Sequence, residues 1–476
     1  MPRYFVTLIV AVALFMETMD STVIATSLPA IAADLGEDPV ALKLAITSYL
    51  LSLAVFIPLS GWVADRFGAR TVFRAAIAVF TLGSAACGFA QGLPDFVAYR
   101  IIQGIGGAMM VPVGRLVILR SVPKAELISA LAWLTVPALM GPVIGPPLGG
   151  FISTFTSWRW IFWINIPVGV VGMILATRYI ADIREEKLPP LDVKGFILSG
   201  IGLAGIAFGI TNIGQGLFPA EVVAALIAAG VIGCWLYVRH AHVTKAPLLD
   251  LNLLKIDTFY ASVVGGFLFR IGMGALPFLL PLFFQLGFGL SPFESGLLTF
   301  ASAVGAIAMK TTAAPIIRYI GFKRTLVSNA VLSSLFVVAI ALFTAGTPHS
   351  VVFAVLLTGG FFKSLQFTGI NSLAYADIDA TAMSRATSFA SVAQQLSLSA
   401  GVALGALVLE IERMGRPGAN VVAEDFPLAF ILVAAIAASS ALVFARLPKG
   451  AGASLSARAR RVGADGERAP EPAQFS

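Results

Sequence analysis

Charge is the scarcest commodity in this chain. Only 12% of its 476 residues are Asp, Glu, Lys or Arg, about half the share of an ordinary soluble domain. A full 58% are hydrophobic. A surface wetted on all sides cannot be assembled from that inventory, which excludes a soluble fold. Cysteine is nearly absent. Cys87 and Cys234 both sit in apolar runs, so no disulfide framework is available and both thiols read as small buried hydrophobes. His240, His242 and His349 are the only histidines, too few and too scattered for a metal centre. No low-complexity repeat dominates, which excludes fibrous and disordered classes. An all-α polytopic membrane protein remains.

A membrane-crossing helix takes about 20 mainly apolar residues. Such stretches fall near 4–29, 41–63, 72–91, 95–119, 127–153 and 159–180, then 193–214 and 221–239. Six more follow near 258–286, 292–314, 324–345, 349–373, 385–409 and 427–446, predicting 14 spans. The first is not a signal peptide: Glu17 and Asp20 interrupt it and no small-x-small cleavage site follows.

Lys and Arg set the orientation. With the N-terminus inside, 23 of the 32 fall in cytoplasmic segments, against Lys43, Arg159, Arg413 and Arg416 outside. Both termini are expected in the cytoplasm of a cell (inner) membrane. The net charge of +7 is then a topology signal and not a nucleic-acid footprint. Trp158, Trp160 and Trp163 read as interfacial anchors for the sixth span, and the Arg-rich tail as a disordered segment near lipid headgroups.

The chain also echoes itself. Pro39 and Pro292 each open a span, and Gly68 and Gly321 each follow one, both pairs 253 apart. Leu28-Pro29 with Leu35-Gly36 answers Leu280-Pro281 with Leu286-Gly287 at offsets of 252 and 251. Ordered matches of this kind predict two related six-helix halves, 1–181 and 257–448. Two inserted helices and their linkers occupy 182–256, and the basic tail 449–476. Parallel halves place a ligand cavity between them near the bilayer midplane.

Four motifs stand out. After the second span, Gly61-Trp62-Val63-Ala64-Asp65-Arg66-Phe67-Gly68-Ala69-Arg70 reads as a glycine-permitted turn with a charged latch. Its second-half copy, Arg318 to Lys323, keeps Gly321 but has no Asp. The fourth span carries Arg100-Ile101-Ile102-Gln103-Gly104-Ile105-Gly106-Gly107. No strand precedes those glycines, so a nucleotide loop is excluded and close helix packing is the better use. Arg100 either snorkels to the surface or serves inside the membrane. The fifth span reads Gly141-Pro142-Val143-Ile144-Gly145-Pro146-Pro147-Leu148-Gly149-Gly150, a smooth glycine face bent by proline. Gly401-x-x-x-Gly405 echoes it in the second half.

The 61–70 run resembles the signature of the major facilitator superfamily, in which Gly61, Asp65, Arg66, Gly68 and Arg70 would form the gating loop. The fourth-span run resembles that family's proton-linked motif. The fifth span, through Gly141, Pro142, Gly145, Pro146, Gly149 and Gly150, resembles the antiporter motif of its drug exporters. Together with Asp20-Ser21-Thr22 through Pro29, and Trp158-Arg159-Trp160 through Pro167, nearly the whole chain is similar to the fourteen-span drug:proton antiporters of the EmrB/QacA type. Gly106-Gly107-Ala108-Met109-Met110-Val111-Pro112 most resembles the MdtD/HsrA group. The resemblance implies a proton-coupled exporter working by alternating access.

Charges inside the spans supply the candidate machinery. Glu17 and Asp20, three apart, share a helix face that continues toward Ser27. A carboxylate at mid-depth is costly when ionised, and such groups are functional by default. These two are the expected proton carriers, with Arg100 modulating them. Arg270 lies about thirteen residues into its span, too deep to snorkel easily, and the repeat offset places it opposite Glu17. Arg115 and Lys310 lie near cytoplasmic ends and are expected to snorkel. Lys363 sits near Gln366 and Asn371. Arg270, Ser27, Gln103, Lys363, Gln366 and Asn371 are therefore the expected substrate-cavity residues. Five bases against two acids within the spans keep organic anions or metal–carboxylate chelates open beside amphipathic drugs. A non-transporting sensor or pump-assembly partner is the reading from another class. No nucleotide motif, metal cluster or nucleophile–base set points to an enzyme. The expected partners are a small-molecule substrate, protons and the bilayer, with no nucleic acid, no cofactor and a monomeric chain.

Overall fold

The computed structural model describes residues 4–121, 127–181, 190–213, 218–379, 382–414, 421–448 and 450–452. Side chains are described throughout these except at 4, 119–120, 127–139 and 314. All the regular elements among the described residues are helices. They are α1 (Tyr4–Leu35), α2 (Lys43–Phe67), α3 (Ala69–Cys87), α4 (Leu93–Ser121), α5 (Leu127–Phe155) and α6 (Trp160–Tyr179). Then come α7 (Val193–Thr211), α8 (Ala220–Val243), α9 (Asp257–Gly287) and α10 (Pro292–Ile320). The chain finishes with α11 (Phe322–Ala341), α12 (His349–Leu373), α13 (Met383–Arg413) and α14 (Ala423–Phe444). Thirteen helices among the described residues are long and apolar enough to cross a membrane. The expected fifth span corresponds to α5, whose first half lies outside the described side chains. Lys124, Arg184, Lys187, Arg416 and all of the basic tail save 450–452 also lie outside the described residues.

Local irregularities have sequence causes. Pro58, which cannot donate a backbone hydrogen bond, falls in the 3-10 turn Ile57–Leu59 that interrupts α2. π-turns at Ala261–Gly265 and Phe283–Gly287 widen α9 near its two ends. The expected ten-residue gating loop is mostly helix: α2 runs to Phe67, and Gly68 alone makes the turn into α3. Its φ of 93° is one that L side chains avoid. Gly321, 253 residues later, turns α10 into α11 at φ 87°. Gly36 and Gly289, both at φ 69°, form a second pair at the same spacing. The repeat partner of Gly36 is thus Gly289 and not Gly287, because the π-turn before it adds length.

Small residues decide who packs on whom. Cβ atoms added at Gly141, Gly145 and Gly149 of α5 would collide with Thr18, Thr22 and Val23 of α1. In the second half, Gly401 of α13 meets the backbone of Ile271 in α9 in the same way. Between the halves, α5 packs on α10, α2 on α13 and α1 on α9. The inserted pair α7–α8 interlocks through Gly202, Gly205, Gly230 and Gly233. It rests on both α2 and α13, across the line where the halves meet.

One end of the bundle is tied shut between halves. Lys43 Nζ at the start of α2 meets Glu410 Oε1 near the end of α13 at 2.7 Å. Arg413 Nη1 meets Asp38 Oδ2 at 2.7 Å. Gln285 donates to the Thr26 carbonyl, and the Phe293 amide donates to the Thr154 hydroxyl. Gly150 abuts the Pro292 backbone. Lys43, expected as a loop charge, is 1% exposed. Of the three expected tryptophan anchors, Trp160 faces outward at 53% exposure, whereas Trp158 is buried and donates to Asp34.

Candidate functional site: a buried carboxylate cluster beside a cavity

The first feature is an intramembrane polar cluster built on α1. Asp20 is fully buried and accepts three hydrogen bonds. Arg100 Nη1 of α4 donates to Oδ2 at 2.8 Å. Gln103 Nε2, one turn along α4, donates to Oδ1 at 2.9 Å, and Asn165 Nδ2 of α6 donates to the same oxygen at 2.9 Å. Arg100, 1% exposed, does not snorkel. Its Nε donates to the Ala45 carbonyl, its Nη1 also reaches Gln103 Oε1, and its guanidinium lies 4.2 Å from the Tyr49 ring centroid. Asn165 further donates to Ser84, whose hydroxyl donates to the Phe162 carbonyl. A charge pair in this setting persists because Asp20 and Arg100 are each held by several hydrogen bonds.

Glu17 stands one helical turn before Asp20 and is 7% exposed. Its Oε1 accepts a single hydrogen bond, from the Tyr49 hydroxyl of α2 at 3.0 Å. The cluster brings together Glu17, Asp20 and Arg100. It also claims Gln103, which had been expected in the cavity. An amide offers both donor and acceptor, and Gln103 is spent satisfying Arg100 and Asp20. Tyr49 and Asn165 were missed by sequence reasoning. The aromatic signal of Tyr49 is common in apolar helices, and Asn165 was visible only as a polar residue within the tryptophan run.

The second feature is a cavity of about 410 Å³ between the halves. From the first half it is lined by Thr22, Ala25 and Thr26 of α1 with Pro142, Val143 and Pro146 of α5. The rest of its wall comes from the second half, including Phe336, Phe367, Ser302, Ser333 and Ser364. Among the described residues, two ammonium groups, Lys310 and Lys363, line it and no carboxylate does. Lys310, expected to snorkel, is exposed; it also borders the cavity and donates to Thr368 at 3.1 Å.

Several expected cavity residues stand elsewhere. Gln366 is fully buried, accepting from Asn329 and donating to the Leu326 carbonyl. Ser27 is buried between α1 and α5, where its hydroxyl accepts from Ser153. Arg270 is 3% exposed, donates to Asn371 Oδ1 at 2.8 Å and lies 5.7 Å from the centroid of the Phe367 ring. It is not among the residues lining the cavity and forms no pair with Glu17, so the expected opposition does not occur in this structure. The repeat offset aligns positions along equivalent helices but not the side of the helix a long side chain takes.

α1 therefore presents two different faces. Thr22, Ala25 and Thr26 border the cavity. Glu17 and Asp20 point away from it, into the first half.

Comparison with known proteins agrees with this architecture. The family model described as Major Facilitator Superfamily matches residues 10–402 and 262–464. A protein of Yersinia enterocolitica is 38% identical over 447 residues, covering 93% of this chain and 95% of its own. One of Yersinia pestis is 38% identical over 448 residues, covering 94% and 96%. Both carry the provisional name multidrug resistance protein MdtD. Among solved structures, a D-xylose–proton symporter superposes with TM-score 0.68 at 15% identity, covering 94% of this chain and 99% of its own. A bacterial homologue of the human lysosomal transporter Spinster, inward-facing and unoccupied, gives 0.65 at 15% identity with 99% of both chains covered. At that identity the structures speak for the fold alone. The chain is a multi-pass membrane transporter and belongs to the major facilitator superfamily.

Proposed function

We propose that this chain is a proton-driven exporter of small amphipathic compounds, acting as a monomer in the cell (inner) membrane. The observation that carries the reading is the division of α1: ionisable carboxylates on one face, a cavity wall on the other. A carboxylate that exchanges a proton changes the charge its neighbours must balance, and so biases one arrangement of the helices over another. Glu17 and Asp20 are the proton carriers of this reading, with Arg100 holding their charge in place. The provisional multidrug-resistance name of the relatives supports export. The Lys and Arg distribution supports cytoplasmic termini, which makes the tied end the outer one. The structure then corresponds to a form with its outer gate shut, and substrate enters from the cytoplasm. The division into halves 1–181 and 257–448 around an insert is part of the same reading.

The test is flux in proteoliposomes under an imposed pH gradient, with a panel of lipophilic cations and organic anions. Wild type is expected to exchange at least one compound against protons. Glu17→Gln is expected to lose gradient-driven flux while still binding substrate. Flux of no compound in wild type leaves the sensor reading in its place.

Lys310 and Lys363, with no carboxylate among the described residues of the cavity wall, favour a second reading: export of organic anions or of metal–carboxylate chelates. Lys363→Met is then expected to weaken anion transport at least tenfold, an effect of roughly 1.4 kcal/mol, and to spare lipophilic cations. Equal transport of anions by Lys363→Met and wild type would reject it.

A further inference from the structure

We propose that Tyr49 is the positioning residue of the proton site, and that Glu17 is the carboxyl that exchanges, which narrows the two carriers of the proton-coupled reading to one and leaves Asp20 as the partner that holds Arg100. The inference rests on the proton-coupled reading and adds the residue through which the acid is coupled to its surroundings.

The two carboxylates are unequally held. Asp20 accepts from Arg100, Gln103 and Asn165 and is fully buried. Releasing it would leave a buried guanidinium and two amides without their acceptor, an expensive change. Glu17 has one partner, the Tyr49 hydroxyl. Tyr49 also touches the other pair, since its ring lies against the Arg100 guanidinium. One side chain therefore reaches both the loosely held acid and the cation that fixes the tightly held one.

The chemistry follows from the hydroxyl's dual capacity. With Glu17 ionised, the Tyr49 O–H donates to Oε1. With Glu17 protonated, the acid's own O–H can donate to the tyrosine oxygen, so the hydroxyl must turn. The ring stays under Arg100 in both cases and keeps the hydroxyl in reach. The fold leaves room for this through Gly107 of α4, where an added Cβ would come within 3.0 Å of the Tyr49 oxygen.

The surrounding charges are few. Asp20 lies on the same helix and Arg100 on α4, and these are the charged groups that act on Glu17. The described part of α5 carries no titratable side chain. From α6, Asn165 is neutral. On α9, Arg270 is engaged by Asn371. On α10, Lys310 borders the cavity and Glu294 belongs to a capping box at the far end.

Infrared difference spectroscopy on the purified chain, titrated with acid, reads buried carboxyl protonation without any substrate. The expected result is one band at the high frequency of a carboxyl shielded from water, distinct from the surface carboxyls, absent in Glu17→Gln and retained in Asp20→Asn. Tyr49→Phe keeps the ring against Arg100 but removes the donor to the carboxylate. Its midpoint should move to higher pH by about 0.5–1 unit, part of the worth of one hydrogen bond to a charged group. Gly107→Ala displaces the hydroxyl without altering Tyr49 and should shift the midpoint in the same direction, which keeps the question open to test if Tyr49→Phe fails to fold. Wild-type midpoints in both folded variants overturn the role of Tyr49 while leaving proton coupling intact. A band that survives Glu17→Gln and vanishes in Asp20→Asn overturns the assignment of the exchanging acid. The absence of any shielded titrating band in wild type overturns both this inference and the proton-coupled reading.

Discussion

At the scale of residues, the cluster around Asp20 shows how a charge survives inside a membrane protein. Arg100 meets Asp20, Gln103 and the Ala45 carbonyl with different N–H groups and lies against an aromatic ring. Lysine has one compact ammonium and cannot reproduce that fork. Arg100→Lys is accordingly expected to abolish transport. Arg100→Gln leaves Asp20 buried without its cation and should cost about 3–5 kcal/mol of stability, read as a large fall in Tm in detergent. The double variant Asp20→Asn with Arg100→Gln removes both charges and should regain most of the lost Tm without regaining transport. That split separates the structural worth of the pair from its functional one. A sequence can reveal that Glu17, Asp20 and Arg100 lie within apolar spans. It cannot reveal that Gln103 and Asn165 converge on the same carboxylate, because three separate helices must first be packed.

At the scale of elements, helix faces are set by the smallest side chains. Gly149 lets α5 press against the Val23 carbonyl and Thr26 of α1, whereas a Cβ at Gly61 of α2 would meet nothing within 4 Å. Gly149→Leu should therefore collapse transport and lower Tm, and Gly61→Ala should change neither. The glycine spacing in α5 was legible from sequence, since residues four apart share a face. Its partner helix was not. The insert offers a different element-level prediction. Asp192 caps α7 by accepting from the Gly195 amide, and it also accepts from the Leu248 amide and pairs with His240 Nε2 at 2.7 Å. Burial alone would raise its proton affinity, but the hydrogen bonds from His240, Gly195 and Leu248 outweigh it and hold the carboxyl below the usual range. A depressed folded-state value means that its contribution is complete above the ordinary Asp pKa near 4. It is lost only as pH falls through the lower folded value. The Tm difference between wild type and Asp192→Asn should thus shrink as the pH falls into strong acid.

At the scale of the whole molecule, the tied end is the feature that defines the conformation. Lys43–Glu410 and Asp38–Arg413 join residues more than 360 positions apart in sequence, and the first pair is largely shielded from solvent. Lys43→Met removes one tie. Each 1.4 kcal/mol taken from the closed form raises the open population about tenfold. The check is a cysteine at Thr26, a cavity position, in a chain with Cys87 and Cys234 replaced. Labelling by a membrane-impermeant thiol reagent from outside should quicken by about that factor in Lys43→Met. An unchanged rate would remove this pair from the gate.

The sequence by itself determined the class of the molecule, the places of its helices and the two glycine turns that mark its repeat. All of these follow from local hydropathy and backbone sterics, which need no partner. It also marked the membrane-buried ionisable groups, since their cost is set by depth alone. Tertiary structure decided how they are used. It brought Tyr49 and Asn165 to the acids, paired Arg270 with Asn371, drew Gln366 and Ser27 into helix contacts, and turned Lys310 and Lys363 toward a cavity with no carboxylate among its described lining residues. The reason is physical: a buried polar group takes whichever donor or acceptor the packed neighbours present, and neighbours exist only once distant helices have met.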